Sequence, residues 1–186
     1  MNAAHLEVCA SDGWRDVLRD FILPYALADA RLGDDVLEVG PGPGRKTDLL
    51  RAELPKLTAV ELDETLADAL TARLAGTNVE VVHGDATAMG FDDGRFTGAV
   101  SFTMLHHLPT AELQDRLFAE VARVLRGGGV FVASDSVASD ELAALHVDDV
   151  YNPVDPADVE ARLRGAGFGP VEVRSNEFGW AAHATR

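Results

Sequence analysis

Apolar and polar positions change their period along this chain, and each change predicts an element. Short β-branched runs near 35–39, 57–61, 79–82, 96–102 and 128–134 read as strands. Stretches near 45–53, 64–75, 110–126 and 155–166 carry the wider spacing of helices. Pro109 and Thr110 open the third of these helices, and Gly127-Gly128-Gly129 is expected to close it. Strands alternating with helices at this spacing predict a parallel sheet with crossovers. Val171-Glu172-Val173 and Trp180 to Ala184 then alternate around residues 175–179, as an antiparallel hairpin does. The expectation is an α/β three-layer sandwich on a mostly parallel seven-stranded sheet with an antiparallel final hairpin.

Before the first strand, Ser11 reads as an N-cap with Asp12 in the first turn. Trp14, Val17, Leu18, Phe21, Ile22 and Leu23 form a helical apolar face, which Pro24 interrupts before a second piece over 25–32. No linker, repeat or low-complexity tract divides the chain. Residues 1–186 are therefore one domain, with 1–33 as a helical lid or packing segment and 34–186 as the core.

Candidate chemistry begins where the first strand ends, at Glu38-Val39-Gly40-Pro41-Gly42-Pro43-Gly44. Glycines at alternate positions let the backbone take positive φ and approach a ligand, and the next helix directs its free N–H groups at the loop. A phosphate-binding loop is excluded: Lys46 and Thr47 fall in place after Gly40, but Arg45 stands where a second glycine is required. A dinucleotide fingerprint fails similarly, with Arg45 again at the third glycine. Glu38 would oppose a pyrophosphate and suits a ligand that carries an ammonium group.

The loop resembles the E-x-G-x-G-x-G motif of the class I S-adenosylmethionine-dependent methyltransferases. Val60-Glu61-Leu62-Asp63, Gly84-Asp85-Ala86, Phe96 to Leu108, Arg123 to Gly129 and Ala166-Gly167-Phe168 follow in the family's order, covering roughly residues 34–186. The resemblance implies a Rossmann-like fold and S-adenosyl-L-methionine as cofactor. It implies a cofactor set of Glu38, Gly40, Gly42, Gly44, Glu61, Leu62, Asp85, Ala86 and Ser101. Glu38 would meet the methionine ammonium, directly or through water; Glu61, the ribose hydroxyls; Asp85, the adenine amino group, with the Ala86 N–H on the ring. On the residues alone, the plainer alternative for Asp85 is a turn former after Gly84.

This chain has Phe96-Thr97 where family members often have Phe-Asp. It also lacks the [DNS]-P-P-[YF] tract of nucleic-acid amino methyltransferases and the Pro-Cys nucleophile of C5-cytosine enzymes. Its Leu105-His106-His107-Leu108 resembles the small-molecule type. His106, His107, Asp135 and His146 are the candidate bases, should the acceptor need to lose a proton. Adjacent histidines on one turn are not expected to face the cleft together, and without Cys or spaced His partners they predict no metal site. Residues 135–154 hold more polar groups than a crossover needs and are the candidate acceptor wall, with a capped helix from Ser139 to about His146 as the plainer reading.

Composition narrows the partners. The formal net charge of −15 opposes a polyanion, so nucleic acid is not expected. A single cysteine, Cys9, cannot form an intrachain disulfide and fits a reducing compartment. Without an apolar run of about 18 residues or a leader-like N-terminus, the expectation is a cytoplasmic protein with no membrane partner. The reading that results is in-line methyl transfer to a small-molecule acceptor, with a homodimer left open. A catalytically silent cofactor-binding module and an NAD-dependent oxidoreductase are the alternatives.

Overall fold

Each sheet strand sorts its side chains by parity, and the two sets build two separate cores. A computed structural model describes residues 1–186. The strands are β1 (Asp35–Val39), β2 (Lys56–Glu61), β3 (Val79–His83), β4 (Phe96–Phe102), β5 (Leu125–Ser136), β6 (Val171–Ser175) and β7 (Gly179–Thr185). Their order is β3-β2-β1-β4-β5-β7-β6. The first five pair in parallel, while β7 runs antiparallel to both β5 and β6. Leu37, Ala99 and Phe131 enter one core, under α6 (Ala111–Val124) and α8 (Pro156–Gly165). Their neighbours Val36, Val100 and Val132 enter the other, under α4 (Arg45–Glu53) and the N-terminal segment. The three-layer sandwich is as expected, and α5 (Glu64–Arg73) follows β2. No helix is long and apolar enough to cross a membrane.

Several expectations need correction. The N-terminal segment starts earlier, with α1 (Ala3–Ala10) capped by Asn2, whose Oδ1 accepts from His5 N at 2.9 Å. Next, α2 (Asp12–Val17) is capped by Ser11 as predicted and runs through a wide turn into α3 (Leu23–Leu27). In that turn Leu23 N donates to Leu18 O, five residues back, beside a proline that offers no N–H of its own. Of the expected apolar face Leu18 and Leu23 are buried, but Phe21 is 69% exposed. The second piece stops at Leu27 rather than at 32.

The glycine tract does not end α6. That helix stops at Val124, and β5 carries the glycines through a register shift between Phe96 and Gly98. Gly128, at φ +79°, allows the irregularity, and Gly128 N and Gly129 O pair with Arg186 at 2.7 and 2.9 Å. Thr97, in place of the family's Asp, binds Leu32 O, Asp35 O and Asp35 N through Oγ1 at 2.8, 2.9 and 3.0 Å. It ties the start of β4 to β1, so its departure from the pattern bears on folding.

Candidate functional site

Strand order reverses between β1 and β4, and a cleft of about 630 Å³ opens beyond their C-terminal ends. Gly40 to Pro43 form its floor, and Val60 to Asp63, Gly84 to Thr87, Thr103, Met104, His107 and Leu108 continue the lining. Gly40 adopts φ +67° with Met104 packed so closely that a Cβ would fall 2.2 Å from its Cγ. Gly44 caps α4 at φ +84°, where a Cβ would meet Leu70 and an Arg73 nitrogen at 2.4 Å. Glycine is required at both positions. Thr103 also has a positive φ, 50°, a strained state for a β-branched residue, and it turns the chain at the end of β4 into the cleft lining.

Glu61 lies where predicted. It closes β2, is 8% exposed, lines the cleft, and accepts from Gly42 N and Asp63 N at 2.9 and 3.0 Å. One carboxylate thus braces the glycine loop against the second strand. Asp85 also lines the cleft, and its Oδ1 accepts from Thr87 N and Oγ1, both at 2.8 Å, which makes it a turn former as well. Leu62, 68% exposed, and Ala86 border the same side.

Glu38 and Ser101 do not face the cleft. Glu38 is 1% exposed, Ser101 is fully buried, and both Glu38 oxygens lack a hydrogen-bond partner. What lines the cleft here is Lys46, which the sequence reading used only to test a phosphate loop. Its Nζ donates to Phe102 O at 2.5 Å and Gly40 O at 3.2 Å. Burial pushes the Glu38 carboxyl up to about 7, against the pull of the Lys46 ammonium. Burial likewise lowers Lys46, with Glu38 drawing it back up.

The histidines differ most from expectation. Both members of the adjacent pair turn inward, and His5 and His146 close on them, so spaced partners exist in space where the sequence offered none. Only His107 reaches the cleft; His106, Asp135 and His146 are buried behind it. His106 Nδ1 bonds Asp135 Oδ1 at 2.7 Å, and His146 Nδ1 bonds Leu142 O at 2.6 Å. Burial and the neighbouring imidazoles depress His107 to about 3 and His5 to about 4, so these rings resist protonation. A base so weak suits proton abstraction poorly. Residues 140–145 form the capped helix α7, with Leu142 N donating to Ser139 Oγ. Tyr151 stacks on His146 away from the cleft, and from this insertion it is Asp149 and Val150 that line it. Met1, Cys9, Trp14 and Leu18 of the N-terminal segment also line the cleft, with the Met1 amine 3.5 Å from Asp149 Oδ1.

Comparison with known proteins agrees with this geometry. The family model described as "Methyltransferase domain" matches residues 37–133, more than half of the chain. A ribosomal RNA small subunit methyltransferase A of Pelotomaculum thermopropionicum is 39% identical over a match covering 50% of this chain and 36% of that protein. A probable S-adenosylmethionine-dependent methyltransferase of Mycolicibacterium smegmatis is 32% identical, covering 62% of this chain and 43% of its own length. This chain therefore spans less than half the length of these curated relatives. Among solved structures, a SAM dependent methyltransferase from Aquifex aeolicus superposes with a TM-score of 0.74 at 18% identity, over 99% of this chain and 98% of that one, a likeness of fold.

Proposed function

The chain belongs to the class I S-adenosylmethionine-dependent methyltransferase family, and on that premise we propose that it transfers the methyl group of S-adenosylmethionine to a small-molecule acceptor in the same cleft. The observation that carries this is Glu61, a buried carboxylate at the end of β2 that also holds the glycine loop through Gly42 N. There it can accept from ribose hydroxyls, while the Asp85 to Thr87 turn receives the adenine. At the methionine end the roles shift from those first expected. Lys46, which lines the cleft, is the residue available to the ligand carboxylate, with Glu38 buried beneath the loop.

Displacement at the sulfonium methyl leaves a neutral thioether, so alignment and exclusion of water supply most of the acceleration. None of this chain's histidines is assigned as a base. The ribosomal RNA relatives match over half of this chain or less, and this chain has no [DNS]-P-P-[YF] tract, so they support the cofactor half of the reading alone.

Isothermal calorimetry tests the proposal. S-adenosylhomocysteine should bind, with NAD and ATP failing to compete, and Glu61→Ala should weaken binding by about 1 to 3 kcal/mol as a charged acceptor is lost. Tight NAD binding with no response to S-adenosylhomocysteine would overturn it.

A further inference from the structure

Four histidines from three separate elements converge beside the cleft: His5 from α1, His106 and His107 from the turn after β4, and His146 from the end of α7. One ring nitrogen of each lies within 4.8 Å of those of the other three. His5, His106 and His146 are 6%, 7% and 4% exposed. Buried ring nitrogens normally find a partner. Here His5 Nδ1, His106 Nε2 and His146 Nε2 have none.

The remaining nitrogens explain which way these atoms are set. A carbonyl oxygen can only accept, so the 2.6 Å contact with Leu142 O places the hydrogen of His146 on Nδ1 and leaves Nε2 as a lone pair. Asp135 imposes the same tautomer on His106 at 2.7 Å, and is itself held by the His106 and Ser136 N–H groups at 3.1 and 2.8 Å. The lone pairs of His106 Nε2 and His146 Nε2 are thus left without a protein donor. Imidazoles oriented from behind by a carboxylate and a carbonyl are how proteins present a ring to a metal.

We propose that His5, His106, His107 and His146 bind one divalent transition-metal ion of the zinc type, a function separate from methyl transfer and independent of it. Imidazole nitrogen selects such ions over magnesium and calcium. Tetrahedral ligands at about 2.0 to 2.1 Å from zinc stand about 3.4 Å from one another, so the observed spacing needs only a modest contraction. The charge also closes: Asp135 lies behind His106, and Asp149 Oδ2 is 3.8 Å from His5 Nδ1, two carboxylates for one dication. Four imidazoles fill a tetrahedral shell, which makes the site structural. It fastens α1 to the β4 turn and to the end of α7, elements that already meet where Asn2 Nδ2 bonds Leu145 O and Val147 O at 2.9 and 3.0 Å.

The test uses the full chain without a histidine tag, stripped with chelator and titrated with Zn²⁺. Bound metal is counted by mass spectrometry, and Co²⁺ in place of zinc reports tetrahedral geometry by its visible absorption. One ion per chain should bind with submicromolar affinity and slow amide exchange in residues 3–10. His5→Ala and His146→Ala should each weaken zinc at least tenfold. His83→Ala, which alters an exposed histidine outside the cluster, should leave it unchanged. His5 belongs to a peripheral helix, so His5→Ala decides alone if His146→Ala does not fold. Absence of stoichiometric zinc in the unsubstituted chain, or full affinity in the folded variants, would overturn the assignment.

Discussion

Glu38 sits buried under the glycine loop, and its proton affinity follows from that burial, which outweighs the neighbouring Lys46 ammonium and Thr47 hydroxyl. Its carboxyl is raised from 4.5 to about 7 in the fold, so the native state holds this proton more tightly than the unfolded chain. The sign is the reverse of an ion-paired carboxylate: stability is greatest below the unfolded value and falls as pH rises through the folded one. Urea denaturation at about pH 5 and about pH 8 should show the unsubstituted chain losing about 2 to 3 kcal/mol more between them than Glu38→Gln. Equal losses would mean that burial does not hold the Glu38 proton in the native state. Glu61 and Asp85 were legible as cleft residues from the family's motif order, since Glu61 closes β2 and Asp85 follows the end of β3 by two residues, on the same side of the sheet. Lys46 was misread, since its long side chain reaches the carbonyls of Gly40 and Phe102, and the second lies on a strand far away in sequence. His5 was invisible, because nothing local marks a residue whose partners lie more than a hundred positions away.

Elements were legible where period decides. The seven strands and helices α4, α5, α6 and α8 form as alternation predicts, while boundaries moved where tertiary contacts decide them, as at the glycine tract of β5. Helix α1 went unread because its stability is not its own. Its fixed points are Asn2 N on Asp149 Oδ2 at 2.8 Å, the Asn2 side chain on the insertion, and His5 in the cluster. This division refines the lid hypothesis for the N-terminal segment. Leu18, Leu23 and Ala26 are buried, the last two in the core against the sheet, so removing residues 1–30 would expose apolar surface and destabilise the fold. Removing only residues 1–10 takes away Met1 and Cys9 from the cleft rim but one buried side chain, His5. That shorter deletion should retain the circular dichroism of the full chain while weakening S-adenosylhomocysteine about tenfold, or about 1.4 kcal/mol, by admitting water. Undiminished affinity would make α1 packing rather than lid.

At the scale of the whole molecule, the acceptor is decided by charge as much as by the cleft. Thirty-one acids face 16 basic residues, and the arginines are largely spoken for. Arg73 pairs with Asp48, Arg95 with Asp35, Arg123 with Asp93 and Glu120, and Arg162 with Asp115. Arg174 and Arg186 are turned to backbone carbonyls. A polyanion would find no basic stripe whose counterions it could release, and it would meet long-range repulsion on approach. The similarity to a ribosomal RNA methyltransferase over 50% of this chain makes this a sharp question. A mobility-shift assay at about 0.15 M salt should therefore show no complex with duplex DNA, tRNA or a ribosomal RNA fragment, with or without S-adenosylhomocysteine. Lowering the salt should not rescue binding, because the repulsion grows as screening weakens. Submicromolar binding that weakens steeply with added salt would require a basic surface contributed from elsewhere, and would move the acceptor from a small molecule to RNA.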